Sequence, residues 1–210
     1  MKPERLKKIY VYDGTLRLLH ALLAFSSIFL IVTGLYATNQ PPGSQKIAVW
    51  MLHIMAAKVL SCTIILRIIW ALVGTKWAMW SELWHWRTWI RFLQDRKYRN
   101  HDFKTGHDPY AALVYLGFYT ITILMILSGW MLAGIIHGIG PLAEQLFDEV
   151  GRQEILQISH EVGFWLVSLF IAVHLAALIY HEKRRGRPIA QGMVSGYQYK
   201  RLKIKKKGGQ

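Results

Sequence analysis

Cysteine is almost missing from this chain of 210 residues, which has only Cys62. A single thiol makes no intrachain disulfide and no cysteine-based metal cluster, and inside an apolar run it reads as a small hydrophobe. Carboxylates are scarce as well, 12 against 26 Lys and Arg. Inside the long apolar runs the one carboxylate is Glu161, which argues against a proton relay built from acids. There is no internal repeat and no low-complexity linker. The first apolar run lacks a small-residue cleavage site and is too long for the hydrophobic part of a signal peptide, so no cleavable signal is expected.

What is abundant is hydrophobic surface, 53% of the residues. Four runs, roughly Thr15–Ala37, Ile47–Val73, Pro109–Ile136 and Ile155–Tyr180, are each long enough to cross a hydrocarbon core of about 30 Å, which takes about 20 helical residues. The expected fold is an all-α membrane protein, a bundle of four transmembrane helices. Residues 15–182 form the membrane domain, between a basic tail at 1–14 and another at 183–210. The connection 75–108 is too charged to span. Trp77, Trp80, Trp84, Trp86 and Trp89 stand there among Arg and Lys, the mark of an amphipathic segment lying at a membrane interface. His85 and His101 in this connection read as solvated or interfacial.

The net charge of +14 raises the question of nucleic acid. Its distribution answers against it. Lys and Arg number four in residues 1–14, seven in 74–108 and ten in 181–210, but one each in 38–46 and 137–154. Alternate loops are basic, as the positive-inside rule requires for four spans with both termini in the cytoplasm. Attraction to anionic membrane lipid accounts for the rest.

Histidine is the residue that does not belong. His20, His53, His160 and His174 fall inside the runs, with His137 and His181 at run ends. Ionisable groups in spans are costly and mark function; one alone would also serve as a hydrogen bond between helices. Their depths give a joint explanation. His160 and His174 are fourteen residues apart, about 21 Å and nearly four whole turns, hence on almost one face at two levels. The first helix runs outward and the second inward, so His20 shares a level with His174 and His53 with His160. Two imidazoles at one depth suit the two faces of a haem iron. Zinc or copper wants three or four ligands in one small volume. Arg17 and Arg67 fall near the inner level, where a guanidinium pairs with a haem propionate; snorkelling to the interface is their other role. Gly34, Gly129 and Gly163 fall near the outer level, where a small residue admits either a flat macrocycle or a close helix. Lys58, mid-run, has no assigned role.

These residues resemble a known family. "RLLH" (17–20), "LRIIWALVG" (66–74), "GHDPYA" (106–111), "HEVGFWLVSLFIAVH" (160–174) and "GMVSGY" (192–197) are together similar to the diheme cytochrome b subunit of membrane-bound nickel–iron hydrogenases, within a superfamily of prokaryotic four-helix b cytochromes. The resemblance implies two b haems held by His20, His53, His160 and His174. It also implies electron transfer from a periplasmic partner with iron–sulfur or haem centres to the quinone pool. The chain would then be an electron-transfer subunit of a quinone-linked oxidoreductase complex rather than a complete enzyme. Related subunits serve other periplasmic dehydrogenases or c-type cytochromes. A standalone haem-b quinone oxidoreductase and a haem-free transporter or scaffold are the rival classes. Quinone is expected near the inner haem at His107 and Asp108, beside the start of the third helix; Asp108 also suits the N-cap there, ahead of Pro109.

Overall fold

The fold is described from a computed structural model, for residues 6–82, 84, 86–94, 109–146, 150–185 and 190–201. Strand β1 (Leu6–Tyr10) leads into α1 (Gly14–Thr38). A turn containing Pro41 and Pro42 leads to α2 (Ser44–Val73), then two short 3-10 turns and α3 (Trp86–Gln94). Helix α4 (Pro109–His137) is followed by the single turn α5 (Ala143–Leu146), the long α6 (Val150–Arg185), α7 (Gln191–Ser195) and strand β2 (Tyr197–Arg201). Four helices, α1, α2, α4 and α6, are long and apolar enough to cross a membrane.

These helices are sorted inside out relative to a water-soluble bundle. Phe25, Leu72 and Leu169 face outward, while Ser26, Ser27, Thr33, Thr63, Thr122 and Arg67 are buried. Hydrocarbon offers no partner to a hydroxyl, so each must find one inside the protein. Ser26, Thr33, Thr63 and Thr122 donate to the carbonyls of Leu22, Phe29, Val59 and Phe118, one turn back on their own helices, at 2.7–2.8 Å. Lys58 lies on the exposed side of α2.

Helix α1 packs chiefly on α2 and α4 on α6, and the two hairpins meet through α2 and α4. Trp130 of α4 donates its indole N–H to Ser61 of α2 at 3.1 Å. Gly140, at φ 113°, turns the chain after α4 directly beneath that ring. A Cβ there would come within 2.6 Å of it, so both the backbone angle and the space call for glycine.

The fourth span is longer than its apolar run. Helix α6 has 36 residues, about 54 Å at the usual rise, and must project beyond the hydrocarbon. The connection between α4 and α6 is correspondingly short. The segments expected as tails meet each other: β1 and β2 pair antiparallel, with Tyr10 opposite Tyr197 and Leu6 opposite Arg201. The two strands, and with them the start of α1 and the end of α7, therefore lie on one side of the bundle.

Asp13 fastens that side. One carboxylate oxygen caps α1, accepting the Leu16 N–H at 2.8 Å, and the other accepts the Thr75 hydroxyl at 2.6 Å and the Trp70 indole N–H at 3.4 Å. Burial alone would raise its pKa, but these hydrogen bonds outweigh it and hold the carboxyl below its ordinary value. At the other end of the sequence Gly196, at φ 84°, ends α7 and accepts the N–H groups of Val11 and Tyr12 at 2.9 and 3.0 Å.

Candidate functional site: paired imidazoles in the bundle

Every one of the four span histidines has its electrostatic counterpart on another helix. His20 of α1 interacts with His174 of α6, on the side of the chain ends, and His53 of α2 interacts with His160 of α6, on the far side.

The far pair is held by hydroxyls. Thr33 Oγ1 lies 3.0 Å from His53 Nδ1 and Ser128 Oγ lies 2.9 Å from His160 Nδ1. Each hydroxyl gives its one proton to a carbonyl of its own helix, Thr33 to Phe29 at 2.8 Å and Ser128 to Met125 at 3.2 Å. It is then an acceptor towards the ring. A hydroxyl that accepts at Nδ1 places the ring proton there and leaves the Nε2 lone pair free, the form in which an imidazole binds a metal.

The glycines beside these hydroxyls meet the rings. A Cβ on Gly34 would lie 3.4 Å from His53 Cε1, and one on Gly129 would lie 3.1 Å from His160 Cε1. Gly129 makes room for an imidazole, whereas at Gly34 an added carbon would make only ordinary contact. A Cβ on Gly163 would instead collide with the Met125 side chain, so Gly163 serves the packing of α6 on α4. Thr33 and Ser128 thus do one job twice, a hydroxyl at Nδ1 of a ring on the next span, and Gly129 adds a gap for the second ring. The sequence reading found the glycines but not Thr33 and Ser128. The available signal was a hydroxyl residue directly before a glycine, at the depth of a histidine on the next span.

The near pair has different surroundings. Phe170 stacks on His174, centroids 5.8 Å apart and planes 11° apart, and on Phe118 at 4.2 Å, while Tyr115 meets His174 edge-on at 6.3 Å. Among the described residues no hydroxyl bonds either near ring. Arg67 is buried, with its guanidinium 5.9 Å from the Tyr119 ring and Nη1 without a protein acceptor. Arg17, half-buried, likewise has a partnerless Nε, and a Cβ on Gly196 would come within 3.0 Å of its Nη1. A buried guanidinium N–H without an acceptor is costly, and an acidic group on a cofactor would supply one. Tyr12, beside this end, accepts from Gln198 at 2.6 Å; burial pushes its hydroxyl pKa up, partly offset by that bond. Of the other expected site residues, His107 and Asp108 lie outside the described residues, as do His85 and His101.

Two imidazole pairs drawn from different helices, with guanidinium nitrogens of Arg17 and Arg67 that lack a protein acceptor, fit haem better than a bare ion. With four spanning helices they define a multi-pass membrane electron-transfer protein of the b-type cytochrome class, which carries haem b. The chain belongs to the prokaryotic cytochrome b561 family, whose profile matches residues 11–196. It is 28% identical to the "Probable Ni/Fe-hydrogenase B-type cytochrome subunit" of Cupriavidus necator, covering 92% of this chain and 88% of that one. It is also 28% identical to the protein of the same name from Bradyrhizobium diazoefficiens, over 90% and 85% of the two chains. The "Probable Ni/Fe-hydrogenase 1 B-type cytochrome subunit" of Escherichia coli K12 is 23% identical over 94% and 93%.

Proposed function

We propose that this protein carries electrons across the bacterial inner membrane, between a periplasmic hydrogenase and the quinone pool, through two b haems. His53 and His160 hold the outer haem and His20 and His174 the inner one. The single observation that carries this reading is the pairing of four span histidines at two depths, about 21 Å apart along α6. A haem with two imidazole ligands exchanges single electrons and keeps no position open for substrate. The chain's own work is to hold and orient. Thr33 and Ser128 keep the outer rings in the metal-binding tautomer, and Arg17 and Arg67 offer charge to the inner propionates. The names of the relatives support hydrogenase as the partner, and the basic alternate loops support cytoplasmic termini. Quinone then meets the inner haem at the cytoplasmic face, with His107 and Asp108 the candidate groups for its protons.

The test is spectral. In the purified protein His53→Ala and His160→Ala remove the same haem component, and His20→Ala and His174→Ala remove the other. Four single variants that each keep two full haems sink the reading.

A further inference from the structure

We propose that Thr33 and Ser128 are positioning residues that lower the midpoint potential of the outer haem through the imidazoles of His53 and His160. This rests on the ligand assignment above. Serine and threonine in a membrane helix ordinarily bond back to their own helix and stop there. Here each bonds back, to Phe29 or Met125, and at the same time turns its lone pair onto a ring of the neighbouring helix at 2.9–3.0 Å. Two different helices do this at the same level, and beside Ser128 Gly129 lets the ring approach. An accident of one rotamer would not repeat in both.

An acceptor on Nδ1–H has a defined effect. It fixes the ring's orientation and makes the opposite nitrogen a stronger donor. A stronger donor stabilises the more highly charged ferric iron over the ferrous, so the potential falls. The near pair lacks this device among the described residues, where Phe170 and Tyr115 pack against the His174 ring. The two sites therefore differ in the direction that makes electron transfer from the outer haem to the inner one more favourable. Losing such an outer-shell partner typically changes metal affinity by about 10–100-fold. If about tenfold of that is ferric over ferrous, the shift is about 59 mV for one electron.

The experiment is a redox titration of the full-length holoprotein, followed in the α-band, with Thr33→Val, Ser128→Ala and the conservative pair Thr33→Ser and Ser128→Thr. Thr33→Val and Ser128→Ala should each raise the midpoint of one haem, the one that His53→Ala removes, and leave the other unmoved. Thr33→Ser and Ser128→Thr should restore it. Wild-type midpoints in both hydroxyl-free variants, or a downward shift, overturn the proposal. Should Thr33→Val lose the haem, Ser128→Ala, the smaller change, decides by the same criterion. Failure of the ligand assignment is seen separately, as two full haems in His53→Ala.

Discussion

Replacing Asp13 by alanine removes three hydrogen bonds at once, at a point where two spanning helices begin and end. Its carboxylate caps α1 through Leu16 and takes the Thr75 hydroxyl and the Trp70 indole at the end of α2. Losing an N-cap costs about 0.5–2 kcal/mol. A hydrogen bond to a charged group is worth about 1.5–3 kcal/mol; Thr75 is exposed, so water recovers part of that. The Trp70 contact at 3.4 Å adds little. The expected loss is about 2–3 kcal/mol, or about 4–12 °C of melting temperature for a chain of this size. Asp13→Asn keeps a good cap but cannot accept from both partners with the same charge, and should lose about half as much. The pH dependence has a definite sign. The folded carboxyl titrates below its ordinary value of 3.8, so its stabilisation is fully present above pH 3.8 and fades as the pH falls through the lower, folded value. Thermal unfolding in detergent, followed by helical circular dichroism at neutral pH and again near pH 3, measures all of this. Asp13→Ala within about 0.5 kcal/mol of wild type would refute the reasoning, because that is the range of a surface change touching nothing.

Gly129→Ala should displace the His160 ring and loosen the outer haem, because the added carbon would sit 3.1 Å from Cε1, whereas Gly34→Ala, at 3.4 Å, should be tolerated; haem content after gel filtration compares them. Reporter fusions at residue 100 and at the C-terminus should read cytoplasmic and one at residue 145 periplasmic, and a periplasmic signal at residue 100 would invert the topology. Asp108→Ala and His107→Ala should leave both haems reducible by the partner but slow their reoxidation by quinone. A stability loss of about 0.5–2 kcal/mol with normal quinone turnover would instead make Asp108 a helix cap only.

The spans were readable because they depend on distance along a helix, which sequence counts directly; the expected histidine levels rest on the same count. Helix ends were less so. An apolar run marks the part of a helix that lipid covers, and α6 continues through Arg152, Glu154, Glu182 and Lys183, good helix formers that hydropathy treats as loop. Thr33 and Ser128 were hidden for another reason. A hydroxyl in a span reads the same whether it faces a ring or its own carbonyl, and only the rotation of α1 against α2 and of α4 against α6 decides. The choice between macrocycle and helix packing at Gly163 likewise needed Met125 in view. The strand pair and the reach of Asp13 to Thr75 join residues far apart in sequence, and such pairings leave no local trace.

The β1–β2 clasp also sets an order of assembly. Tyr10 and its partner Tyr197 are 187 residues apart (197 less 10), about 10–40 s of synthesis. Strand β1 is made first and acquires its partner last, after all four spans have been made. Until then Leu6–Tyr10 has an open edge, kept from pairing elsewhere by Lys7 and Lys8. The clasp thus closes only on a chain that has been made as far as β2, and a product truncated before Tyr197 would be left with an unpaired, basic strand at the membrane surface.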